Sequence, residues 1–174
     1  MPTRTRLKLE GPCLAFVTTT VTGWVPLFND KRPAEAALDQ FRQALAHYSA
    51  SCMAYVLMPS HLHALVGVNE YTLIARLMQG FKILTAKRLK PVLGENLLQQ
   101  LSGNGRYHFW KPRYDELVVT GEKQFRIKVE YIHANPVRAG LVQEAINWVY
   151  SSARDWAGLG RGIVPLDRTF SFQQ

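Results

Sequence analysis

The chain has 174 residues, 47% of them hydrophobic and 20% charged, a balance that suits one compact soluble domain and excludes a disordered chain. Lys and Arg number 21 against 13 Asp and Glu, a net charge of +8, which points to a polyanionic partner such as nucleic acid or an anionic membrane surface. No apolar run approaches the ~20 residues of a membrane span. The threonine-bearing stretch 14–25 is too polar for a secretory core, and Cys13 and Cys52 lack metal-binding spacing, so the protein is expected to be reduced and cytoplasmic.

The first element is a β-branched strand over 14–21. A helix over 33–48 follows, with Pro33 near its start and Leu38, Phe41, Leu45 and Tyr48 at helical spacing. Strands over 52–58 and 61–68 are separated by Pro59-Ser60 and should pair as an antiparallel hairpin. Helical periodicity returns over 72–90, with Leu73, Leu77, Phe81 and Leu84 as the apolar stripe. Between Glu70 and Glu95 there is no acidic residue, yet Arg76, Lys82, Lys87, Arg88 and Lys90 are present, so this helix is either a phosphate-contacting surface or a solvated face. Residues 97–105 read as a loop and 117–119 as a short strand. Thr120 is placed to cap a helix over 121–135 that Pro136 should end.

The order strand–helix–strand–strand–helix–strand predicts an α+β fold, a ferredoxin-like antiparallel sheet with the first and third strands central and an additional C-terminal helix carrying Tyr131. The domain is expected over 1–153, with a C-terminal tail over 154–174 that has no functional reading.

Side chains alternate along a strand, so Leu62, Ala64, Val66 and Val68 share one face while His61 and His63 share the other. Two imidazoles at i and i+2 lie close enough to share a metal, and imidazole accepts magnesium, manganese or zinc according to its co-ligands. Alone, the triplet is unspecific, because such histidines are also often structural. On the last helix Phe125, Val129 and Ile132 form an apolar side, and Tyr131 shares another face with Asn135 and, one turn earlier, Ile127 and Lys128. A phenol can form a covalent phosphoester, aided by a nearby cation such as Lys128; it can equally be a packing tyrosine.

Met58-Pro59-Ser60-His61-Leu62-His63-Ala64-Leu65-Val66 resembles the histidine–hydrophobic–histidine (HUH) motif of the single-tyrosine transposases of small insertion sequences. The stretch Tyr131-Ile132-His133-Ala134-Asn135-Pro136-Val137-Arg138-Ala139-Gly140-Leu141-Val142 is similar to the tyrosine helix of one branch, the REP-associated tyrosine transposases. Phe109 to Asp115, Trp148 to Ser152, and the early Phe16-Val17-Thr18 with Pro26-Leu27-Phe28 agree in order, so the resemblance runs over about 14–153.

The resemblance implies a tyrosine helix laid across the histidine-bearing sheet face, and single-stranded DNA with an adjacent hairpin as partner. It implies that His61 and His63 hold magnesium or manganese and that Tyr131 attacks phosphorus, leaving a 5′-phosphotyrosine link that a second 3′-hydroxyl can reseal. Asn135 stands where insertion-sequence relatives carry a glutamine as third metal ligand, offering the same amide oxygen on a shorter arm. Ser60 stands where relatives often carry Asn or Glu. Arg4, Arg6, Lys82, Lys87, Lys111, Arg113, Lys128 and Arg138 are the candidate DNA contacts, and Tyr107, Phe109 or Trp110 either stack on unpaired bases or pack in the core. A monomer or a homodimer is compatible with the sequence. The competing reading is a non-catalytic descendant that binds DNA hairpins. An RNA-binding module of the same topology would need aromatics where the third strand has histidines.

Overall fold

The computed structural model describes residues 9–169. β1 (Cys13–Thr20) leads through two 3-10 turns into α1 (Lys31–His47), then β2 (Ser51–Met58), β3 (His61–Val68) and α2 (Thr72–Leu89). A short α3 (Glu95–Gln100) and a small hairpin, β4 (Ser102–Gly103) and β5 (Arg106–Tyr107), precede β6 (Asp115–Val119), α4 (Glu122–Arg138) and α5 (Ala153–Trp156). The main sheet is four-stranded in the order β2-β3-β1-β6, antiparallel throughout, with β1 and β3 central as the element order predicts. Among the described residues no helix is long and apolar enough to cross a membrane.

Strand alternation sorts the side chains into two cores. Leu62, Ala64 and Val66 of β3 face α1 and α2, where Phe41 and Phe81 meet edge to face at 5.4 Å. Leu65 of β3, with Leu14, Val56 and Met58, faces α4 through Val129 and Ile132. A bulge between Cys52 and Ala54 resets the alternation of β2, so that Met53 and Ala54 both face α4. The buried stripe of α2 runs through Ile74, Leu77, Met78 and Phe81, which turns Leu84 outward to 46% exposure.

Besides Leu84, expected in the apolar stripe, three expectations are corrected. Residues 97–105 are not a loop: Leu97 and Leu98 pack α3 onto the main core, and Asn104-Gly105 form the turn of β4–β5 with both φ positive, at 51° and 72°. That pair is the preferred content of a two-residue hairpin turn. The cap position of α4 is Gly121, not Thr120, whose N–H donates to Gln124 Oε1 at 3.1 Å. Pro136 does not end α4. It lies inside the last turn, where the helix forgoes one N–H donor, and the helix stops at Gly140 (φ 70°): Leu141 N–H donates to Pro136 O and Gly140 N–H to Val137 O, both at 2.9 Å, in a Schellman motif.

The segment after α4 covers the open edge of β2. Leu57 N–H donates to Tyr150 O at 2.8 Å, Ser152 N–H to Tyr55 O at 3.0 Å, and Asp167 N–H to Cys52 O at 2.8 Å. Asp155 and Val164 are buried, so the stretch from α5 onward is anchored to the domain at these points and through Asp167 at the β2 edge, while residues 156–161 are exposed.

Candidate active site

The pairing register decides what faces the histidines. Thr18 lies opposite His63 and Thr20 opposite His61, and directly opposed residues share a face. Thr18 Oγ1 sits 2.7 Å from His63 Nδ1, and Ser60 Oγ sits 3.2 Å from His61 Nδ1. Both rings are therefore tethered through Nδ1, which leaves Nε2 as the atom available to a ligand. The departure at Ser60 thus has a local role in orienting His61. The two imidazole centroids are 4.8 Å apart, and Phe16 stacks on His63 at 5.5 Å.

Burial pushes the His63 imidazole down to about 3, with His61, Lys128 and Arg138 adding to the effect, and burial also lowers His61. Both rings are neutral at physiological pH, the form that binds metal. Among the described residues no group of three His, Cys, Asp or Glu converges. The protein donors at hand are thus two imidazoles, a pair that with oxygen co-ligands would suit magnesium, manganese or zinc.

α4 places one stripe over this face. Lys128, Tyr131, Asn135 and Arg138 follow one another at spacings of three, four and three, so they form a single row. The Tyr131 ring lies 5.4 Å from the His63 ring and meets Phe16 edge on at 5.7 Å. Lys128 Nζ is 5.4 Å and the Arg138 guanidinium 4.5 Å from the Tyr131 ring centre. Arg138 also donates to Tyr131 O at 3.1 Å. It reaches that ring because α4 continues past Pro136; a helix ended at Asn135 would leave it off the row. Asn135 Nδ2 donates to Tyr131 O at 2.7 Å, so Oδ1 is its atom left to ligate.

The structure thus gathers His61, His63, Tyr131, Lys128 and Arg138, with Asn135 in the same row of α4. Lys111 and Arg113 line a neighbouring groove of about 490 Å³ together with Thr18, Thr20 and Trp24. Lys82 reaches the same segment from α2: its ammonium donates to Lys111 O at 2.6 Å and Pro112 O at 3.0 Å. Lys87 is exposed on α2, on the sheet face opposite Tyr131. Arg4 and Arg6 lie outside the described residues.

Of the three aromatics proposed to stack or pack, Phe109 (5% exposed) and Trp110 (7%) pack in the core, Trp110 against Phe28 and Phe81, because this segment is bound to the end of β1. Tyr107 remains exposed beside Lys90. Sequence reasoning passed over Thr18 and Trp24. The register across from His63 carried the signal for Thr18; Trp24 was marked only by the Gly23 before it.

A family model described as "Transposase IS200 like" matches residues 21–135. A REP-associated tyrosine transposase of Escherichia coli K12 is 38% identical over 64 residues, covering 36% of this chain and 37% of that protein's length. A Haemophilus influenzae protein assigned to the same group is 26% identical over 133 residues, covering 68% of this chain and 73% of that one. The solved structure of a REP-associated tyrosine transposase bound to a REP hairpin superposes with a TM-score of 0.66 at 21% identity, covering 100% of this chain and 98% of that one. A crystal structure of a Deinococcus radiodurans protein assigned as a transposase gives 0.51 at 20% identity, covering 76% of this chain and 95% of that one.

Proposed function

The chain belongs to the IS200-like transposase family, and from that premise we propose that it cleaves and rejoins single-stranded DNA beside a hairpin, with Tyr131 as nucleophile. The observation that carries the reading is the convergence, within one chain, of the His61–His63 pair with the Tyr131 ring. The REP hairpin bound by the structural neighbour supports a palindromic stem as the anchoring element.

His61 and His63, with Asn135 as a third donor, would hold the divalent metal, which when bound polarises a phosphate oxygen as a Lewis acid. Tyr131 Oη attacks phosphorus, the bond to the 3′-oxygen breaks, and a 5′-phosphotyrosine forms. The phenol proton is lost to solvent and the departing 3′-oxygen takes one up. One phosphoester replaces another, so the step is reversible without a nucleotide cofactor. Lys128 and Arg138 flank the Tyr131 ring and meet the negative charge of the phosphate.

The test is incubation with single-stranded oligonucleotides bearing hairpins, with manganese or with chelator, resolved on denaturing gels. A covalent protein–DNA band is expected with metal and absent from Tyr131→Phe. Hairpin binding without an adduct or a cut strand under any condition would establish the non-catalytic binder instead, and an unchanged band from Tyr131→Phe would assign the nucleophile elsewhere.

A further inference from the structure

We propose that Trp24 is the stacking platform of a nucleobase subsite next to the histidine pair, with Lys111 and Arg113 as its phosphate contacts. The inference deepens the preceding reading and rests on single-stranded DNA being the bound strand. Three independent observations meet at this residue.

The first is exposure: Trp24 is 57% exposed, although a large indole is usually well buried. The second is backbone conformation. Trp24 has φ 57°, in the left-handed region, directly after Gly23 at φ 66°. A bulky side chain adopts that region at an energetic cost, and glycine would take it freely, so the fold itself does not call for an indole here. Strained, exposed residues of this kind gather at binding sites.

The third is placement. The Trp24 ring meets His61 at 5.6 Å between centroids, so a strand whose phosphate sits at the histidines would carry a base within reach of the indole. The groove of about 490 Å³ beside it lies within the usual range of ligand sites, roughly 300–1,000 Å³. Lys111 Nζ lies 4.4 Å from the indole centre, and Arg113 lines the same groove. The wall that carries them is fixed: Lys111 N–H donates to Thr20 O at 2.8 Å and Lys82 binds the carbonyls of Lys111 and Pro112. A base stacked on the indole takes the place of the Lys111 ammonium, which turns to the backbone phosphate. Stacking of this kind tolerates any base.

The test uses the Tyr131→Phe protein in chelator, so that no cleavage is required. The probe is a labelled DNA stem-loop with a short single-stranded arm on either side, in which each arm position in turn is made abasic. One position should weaken binding by roughly tenfold when its base is removed. In the Trp24→Ala background that penalty should disappear, and Trp24→Phe should restore most of it. The readout is the ratio of abasic to intact probe within each protein, so a general loss of affinity or stability cancels. An equal penalty with and without the indole, or no arm position with a penalty, would overturn the subsite. The penalty can follow Trp24 even if no covalent adduct ever forms, and an adduct can form with no such penalty, so the two readings fail separately.

Discussion

Replacing Thr18 with valine keeps the shape of the side chain and removes the one hydroxyl that holds the His63 ring. The Oγ1–Nδ1 distance is 2.7 Å, and His63 is 6% exposed, so water does not readily substitute. Leaving a buried polar atom without its partner costs about 1–3 kcal/mol, a fall of several degrees in Tm for a domain of this size. There is a second consequence. When Nε2 is the ligating atom, Nδ1 carries the proton and donates to Thr18. Without that acceptor the other tautomer competes, and loss of such an orienting partner lowers metal affinity by about 10- to 100-fold. Calorimetric titration with manganese and urea unfolding in chelator measure the two effects separately, with Thr18→Ser as the variant that retains both. If Thr18→Val bound manganese as tightly as the parent protein, the claim that this hydroxyl orients the ligand would be refuted.

Stability in chelator should fall as pH drops from about 6.5 towards 4, because His63 and His133 titrate at about 3 and about 4 when folded but near the ordinary value when unfolded, so the unfolded chain takes up protons first. His133→Gln should flatten that slope, and an unchanged slope would remove His133 from the account. Ser152→Ala withdraws a fully buried hydroxyl that accepts from Tyr55 N–H at 2.9 Å and lies 2.8 Å from His133 Nε2. A loss of about 2 kcal/mol in urea unfolding, with faster amide exchange at Tyr55, is expected. Lys82→Met should weaken DNA binding by loosening residues 111–113 while leaving the salt dependence of affinity unchanged; a slope reduced by about one would show a phosphate contact instead.

Much of the site was legible because it depends on local periodicity. The alternation of β3 put His61 and His63 on one face, and the helical spacing of Phe125, Val129 and Ile132 set the buried side of α4 and hence the row carrying Tyr131. The Asn104-Gly105 turn was also open to such reading, through its preference for positive φ, and was overlooked. Phe109 and Trp110 were ambiguous for a different reason. An aromatic beside basic residues reads the same whether it packs or stacks, and the pairing of Trp110 with Val21 settles it.

By itself the amino-acid sequence determined the order of the four main-sheet strands and of α1, α2 and α4, the faces of β3 and α4, and the motif pair that marks the family, since each is written in nearest neighbours along the chain. Tertiary structure decided which groups surround the histidines. Thr18 arrives by strand register, Trp24 by a left-handed backbone turn, and Arg138 by a helix that continues through Pro136 to Gly140. It also placed Tyr150, Ser152 and Asp167, the last from the stretch that had no functional reading, along the β2 edge, because an unpaired strand edge must find partners wherever the fold brings them.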